Sequence, residues 1–156
     1  MQTILALVLS LGQATYHVKY TLKKVEATSV EVKGKINCDA KTCEFLLAVP
    51  IKSFESSDSN RDLNMLQTTE ASKYPIASAK GTFPKDVLNQ ENAKINAEVD
   101  FHGVKRSYSI ALKEKLQKAS FVLDLDGHKI ERPSLFGIKI KNEMPIDFVL
   151  KWTDTK

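Results

Sequence analysis

Apolar and polar residues alternate with a period of two through most of this chain, which restricts those runs to strands with one dry and one wet face. Tyr16, Val18, Tyr20 and Leu22 alternate with His17, Lys19, Thr21 and Lys23. Val30, Val32 and Ile36 alternate with Glu31, Lys33, Lys35 and Asn37. Phe45, Leu47, Val49 and Ile51 share one face of the next run, where Leu46 and Ala48 make the other face apolar as well. Ile95, Ala97, Val99 and Phe101 are followed, across His102-Gly103, by Val104, Tyr108, Ile110 and Leu112. Phe121, Leu123 and Leu125, then Ile146, Phe148, Leu150 and Trp152, complete the set. Parallel strands would require helical crossovers, and no long helical pattern exists to supply them. Short turns at residues 38–43, His102-Gly103 and Asp126-Gly127 suit antiparallel hairpins. The expectation is an all-β fold, an antiparallel barrel of about eight strands whose closure leaves no free edge. A transmembrane barrel would turn its apolar face to lipid and its polar face inward. The density of Lys and Glu on the polar faces here fits a solvated exterior instead.

One long polar segment, residues 53–75, interrupts the alternation. Ser57, Asp58 and Ser59 are suitable N-cap residues, and residues 61–67 predict about two helical turns with Leu63 and Leu66 facing the barrel. Tyr74-Pro75 then starts the next strand, a permitted place for proline. Loops of this length inside a compact domain usually carry function. The natural position for this one is over the mouth of the barrel, which makes the molecule a container for a ligand.

The chain begins with an apolar run, Ile4 to Leu11, followed by Gly12-Gln13-Ala14. This pattern reads as a secretory leader over residues 1–14, with the barrel domain spanning residues 15–156. The run is too short for a bilayer span, and no transmembrane segment is expected in the remainder. Cys38 and Cys43 flank a turn-like Asp39-Ala40-Lys41-Thr42. A disulfide across that hairpin agrees with a periplasmic or secreted protein and would contribute about 2 kcal/mol. The formal charge of +4 comes from lysines spread singly along strands, so no nucleic-acid partner is expected.

No enzyme signature stands out. His17, His102 and His128 are scattered, with no paired spacing for a metal, and no Gly-x-Ser-x-Gly elbow is present. His102 reads as a turn residue. No catalytic residue, metal or cofactor is assigned.

Three separated motifs carry a family resemblance. The first runs from Pro50-Ile51-Lys52-Ser53-Phe54 through Asn60-Arg61-Asp62 to Tyr74-Pro75. The second is Val99-Asp100-Phe101-His102-Gly103-Val104. The third is Ile130-Glu131-Arg132-Pro133-Ser134-Leu135, leading to the last strand. In order and spacing, from about Tyr16 to Trp152, the chain resembles the YceI-like family of exported lipid-binding proteins. The resemblance implies a lipocalin-like barrel with an elongated apolar interior. It also implies a carrier or sequestering role for a long-chain amphiphile: a polyisoprenoid, a quinone-like molecule or a fatty-acid-derived lipid. A homodimer with adjoining cavities is compatible with it. Three departures bear on the ligand: Ala79 stands where an aromatic residue is frequent, Asn64 replaces a frequent histidine, and Lys105-Arg106-Ser107 lacks a proline.

The expected cavity lining is Val18, Tyr20, Phe45, Leu47, Val49, Ala79, Val99, Phe101, Tyr108, Ile110, Phe121, Leu123, Phe148 and Leu150. Small barrels are often filled by their own side chains, so a solid barrel acting as a stress-response or interaction protein is the alternative. Arg61 and Asp62 are expected to hold the loop to the rim by a charge-assisted hydrogen bond, with Arg61 or Ser53 otherwise meeting a ligand head.

Overall fold

Each alternating run forms a strand in the computed structural model, which describes residues 5–20, 23–135 and 138–155. The order is β1 (Leu5–Lys19), β2 (Lys24–Ser29), β3 (Lys33–Cys38), β4 (Thr42–Pro50), helix α1 (Ser59–Thr68), β5 (Ile76–Pro84), β6 (Asn92–Phe101), β7 (Val104–Lys113), β8 (Lys118–Asp124), the two-residue β9 (Ser134–Leu135) and β10 (Ile138–Lys139), and β11 (Glu143–Asp154). All pairings are antiparallel. The sheet runs β11-β8-β7-β6-β5-β4-β3-β1, and β1 pairs back onto β11 to close an eight-stranded barrel. Leu22 and Thr21, part of the first alternating run, lie outside the described residues, as do residues 1–4.

β2 and β3 behave as one interrupted strand. Leu5 to Val8 pair with Lys35 to Cys38, and Ala14 to Lys19 pair with Lys24 to Ser29, in a single continuous register. Between those two stretches the inward parity changes. Ala14 and Tyr16 point into the core from β1, while Leu5, Leu7 and Leu9 pack against it from odd positions. The switch coincides with a bulge between Leu9 and Leu11 opposite β11, a known device for re-aiming side chains. On the partner strand the break falls at residues 30–32, so Val30 is 70% exposed although it continues the apolar alternation. The expectation that Val30 faces inward with Val32 and Ile36 is corrected by this break.

Residues 5–14, read from the sequence as the end of a leader, form the first part of β1. They hydrogen-bond to β11 on one edge and, at residues 5–8, to β3 on the other. The barrel in this structure therefore takes in the stretch that the sequence reading assigns to export.

The exterior carries lysines and acids, and the interior is a continuous apolar core that includes Ile36, Phe45, Val49, Phe83, Ile110, Leu123 and Leu150. Among the described residues, no helix is long and apolar enough to cross a membrane. The β3–β4 hairpin is bridged by the Cys38–Cys43 disulfide, with both cysteines fully buried. The β6–β7 hairpin turns through His102 (φ 57°) and Gly103 (φ 72°), the pair of positive values a type I′ turn requires. A Cβ at Gly103 would lie 2.5 Å from the ring of Tyr74, so glycine is needed there twice over.

The long segment closes one end of this barrel. After β4 a 3-10 turn, Ile51–Ser53, leads to Glu55, which exchanges two 3.0 Å backbone hydrogen bonds with Thr28 of β2. α1 begins at its N-cap Asp58, whose carboxylate accepts the amides of Asn60 and Arg61. At the far end Tyr74 packs edge-on to His102, and Nε2 of His102 lies 3.0 Å from the Glu70 carboxylate.

Candidate functional site

The barrel is hollow at one end and packed at the other. Beneath α1 lies an apolar cavity of about 520 Å³ that opens to the surface. Its walls come from the ends of β1, β4, β5, β6, β8 and β11 nearest α1. At the opposite end, next to the disulfide, only about 30 Å³ is left between Ile36, Phe45, Phe83, Ile95, Ile110, Leu112, Leu116 and Trp152. Leu47, Ala79 and Phe148 border both spaces and form the cavity floor. Trp152 is fixed in the packed end by its indole N–H, which donates to the Leu116 carbonyl at 3.1 Å.

The expected lining residues divide along this axis. Val18, Tyr20, Leu47, Val49, Ala79, Val99, Phe101, Phe121, Leu123 and Phe148 all line the large cavity. Phe45, Ile110 and Leu150 do not: they belong to the packed end, where their apolar side chains fill the barrel. Tyr108 lines neither space. Its hydroxyl lies 2.8 Å from Nε2 of the fully buried His128, and the two rings stack. Small residues explain the position of the hollow. Gly81 admits the Phe45 ring into the packed half, where a Cβ would approach that ring to 3.0 Å. Ala77 and Ala79, with the same parity on β5, leave the upper half open.

Polar groups gather at the mouth. Arg61, Asn60, Asn64, Thr68 and Asp58 reach the cavity from α1 or its cap, with Lys23 opposite on the β1–β2 turn. Spacings of three and four put Asn60, Arg61, Asn64 and Thr68 on one face of the helix. That face borders the cavity mouth beside Met65, with Asn60 and Asn64 exposed at the rim. Leu63, expected to face inward, is instead 57% exposed, while Leu66 is half-buried against the core. Apolar periodicity misplaces the helix because its inner face covers a mouth and not a packed core.

The loop polar groups have different partners from those expected. Asp62 does not engage Arg61; its carboxylate accepts the Ser56 hydroxyl at 2.6 Å and the Ser56 amide at 3.1 Å, closing the loop on itself. Arg61 instead stands 3.7 Å from Asp58. Ser53 stays out of the cavity. Its hydroxyl donates to the Pro50 carbonyl at 2.6 Å, so the Ser29 hydroxyl donates to Ser53 at 2.5 Å and itself accepts the Glu31 amide. This chain of bonds ties the loop to β2.

Tyr16, absent from the expected lining, also borders the cavity. It shares parity with Val18 and Tyr20, is 8% exposed, and packs its ring 5.2 Å from that of Phe54. Burial, followed by the negative charge of Asp62, pushes its phenol up to about 12, partly offset by Arg61. Among the described residues no hydrogen-bond partner meets its hydroxyl, which faces the cavity. Among the described residues, no three His, Cys, Asp or Glu side chains are grouped to hold a metal ion.

Comparison with known proteins agrees with this architecture. A polyisoprenoid binding domain from Saccharophagus degradans, implicated in plant cell wall breakdown, superposes with a TM-score of 0.72 at 18% identity, covering 96% of this chain and 99% of that one. BcnA from Burkholderia cenocepacia gives 0.72 at 10% identity, covering 91% and 96%. A Campylobacter jejuni YCEI protein gives 0.64 at 12% identity, covering 88% and 89%. At these identities the likeness speaks for the fold. No curated protein sequence matches the chain. The profile of the family described as YceI-like domain, however, matches residues 9–152. With that match spanning nearly the whole barrel, the chain belongs to the YceI-like domain family.

Proposed function

We propose that this protein carries or sequesters a long-chain amphiphile in its barrel, and that it does so by binding, without catalysis. The observation that carries this reading is the 520 Å³ apolar cavity open beneath α1. Its size lies within the range of small-molecule sites, and its few polar groups are concentrated at one end. Each methylene buried there gains about 0.8 kcal/mol, so a tail supplies most of the affinity. The polyisoprenoid binding domain from Saccharophagus degradans, with the same fold, supports the lipid class. The disulfide supports an oxidising compartment, the periplasm or the exterior. The solid-barrel alternative accounts for the packed end alone.

Native mass spectrometry of the protein purified from its own host tests this reading. A co-purifying lipid mass, released by organic solvent and exchangeable for an added amphiphile, is expected. A bare chain that takes up no hydrophobic probe would leave the interaction-protein reading standing.

A further inference from the structure

We infer that the cavity selects a single-tailed amphiphile with an oxyanion head of the carboxylate type, held between the Tyr16 hydroxyl and the Arg61 guanidinium. This rests on the lipid-carrier reading and narrows it in two respects, the head and the length of the tail.

The head follows from unspent donors. Tyr16 is more than nine-tenths buried, yet its hydroxyl has no partner among the described residues and opens onto the cavity. The hydroxyl is accessible from the cavity rather than sealed in the core, so a ligand that enters can accept its proton in place of water. The Arg61 guanidinium carries five N–H donors and makes no hydrogen bond among the described residues, only the 3.7 Å contact with Asp58. The neighbouring carboxylates are already engaged. Asp58 caps α1, and Asp62 holds Ser56. Arg61 and Lys23 therefore bring two cations to this end of the lining. An arginine fork with a phenol beside it suits a carboxylate, which accepts several charge-assisted hydrogen bonds at once. The high phenol pKa keeps Tyr16 a donor throughout the neutral range.

The tail follows from the floor. Leu47, Ala79 and Phe148 close the cavity, and the space below them is filled. At about 520 Å³ the cavity lies in the lower half of the range of sites that enclose small-molecule ligands, which suits one tail of moderate length. A sixteen-carbon acid fits this volume. A much longer polyprenyl chain would meet the floor and have to extend out through the mouth.

The test compares binding of palmitate, hexadecanol and a forty-carbon polyprenol to the delipidated full chain, in the native form and as Tyr16→Phe and Arg61→Gln. Palmitate is expected to bind about tenfold or more tightly than hexadecanol, with Arg61→Gln removing most of that preference. Tyr16→Phe is expected to weaken palmitate several-fold while leaving the unliganded thermal midpoint unchanged or higher, since the hydroxyl has no hydrogen bond among the described residues to lose. Equal affinities for acid and alcohol, unaltered in both variants, would overturn the head site and leave the lipid-carrier reading intact. Polyprenol binding as tight as palmitate would overturn the length limit. Failure of all three to bind, with both variants and the native chain folded, would overturn the carrier reading itself.

Discussion

The Tyr108 hydroxyl lies 2.8 Å from Nε2 of His128, and this contact fixes which protonation state the buried imidazole can adopt. Nδ1 of His128 faces two carbonyls, Val104 at 3.0 Å and Phe101 at 3.2 Å, so it must carry a proton and donate. Nε2 then accepts from Tyr108, whose oxygen accepts the Asp124 amide in turn. Phe101 of β6, Val104 and Tyr108 of β7 and Asp124 of β8 are joined through this neutral ring.

Acid should therefore weaken the fold through His128. Burial holds its imidazole below the ordinary value of 6.5, helped by Arg106 and opposed by the two carbonyls and Asp124. The unfolded chain takes up a proton near pH 6.5 that the folded chain refuses. This site's contribution to stability is thus complete above pH 6.5 and falls away as the pH drops towards the depressed folded-state value. Urea unfolding between pH 5 and 7.5 should show a shallower pH slope in His128→Gln than in the native chain. Parallel slopes would remove His128 from the account. At neutral pH, His128→Ala should cost about 3 kcal/mol or more, because it strands a hydroxyl and two carbonyls.

Breaking the Cys38–Cys43 link should be felt in stability and not in the cavity. The disulfide closes a six-residue ring, for which loop closure gives about 2 kcal/mol, and it sits at the packed end of the barrel. The double variant Cys38→Ala, Cys43→Ala is expected to unfold at lower urea with unchanged uptake of a hydrophobic probe below its transition. A loss of probe uptake in the folded variant would mean that the two ends are coupled.

Residues 5–14 offer a sharper test, because the sequence reading assigns them to a leader while the fold pairs them within β1. Removing them strips from β1 its pairings with β3 and most of those with β11. Leu5, Leu7 and Leu9 would also leave the core they pack against. Burial of even part of three leucines is worth several kcal/mol, a large share of the stability of a domain of this size. A chain beginning at Thr15 is expected to be unfolded or to melt far below the full chain by circular dichroism. Equal melting temperatures would show that the barrel closes without this segment.

Much of the fold was legible because alternation reports which face a side chain occupies. Leu47, Val49, Val99 and Phe101 were placed correctly inside for that reason. Alternation does not report depth along the barrel axis. Phe45, Ile110 and Leu150 follow the same pattern as Leu47, yet they lie where Gly81 and Leu116 let the walls meet. It also cannot register a bulge, so the parity switch along β1 and the exposure of Val30 were invisible. The mouth was illegible for a different reason: α1 sets Arg61, Asn64 and Thr68 along the cavity rim beside Met65 and leaves Leu63 exposed, so its apolar spacing does not mark the face that meets the barrel. His128 and Tyr108 are 20 residues apart, and nothing in their local sequence marks them as a pair.

Ala79 provides the most direct control over the hollow. It is buried at the floor of the cavity, paired with Leu47 on β4 and Val99 on β6, and its side chain points into the space. A phenyl ring at this position would extend into open volume, whereas the same ring in the packed half would meet atoms at once. Overpacking a filled core costs about 1–3 kcal/mol, so the two outcomes differ in sign. Ala79→Phe is expected to leave the thermal midpoint unchanged or raised, as the ring buries apolar surface that now faces the cavity. Uptake of a sixteen-carbon probe should fall by at least tenfold, since the ring occupies the floor that the end of the tail would reach. Ala97→Phe, buried on β6 but outside the cavity lining, serves as the opposite case and should destabilise without a matching gain in free volume. If Ala79→Phe melts well below the native chain, the space above it is narrower than the structure makes it. If it is stable and binds the probe undiminished, the tail does not reach the floor.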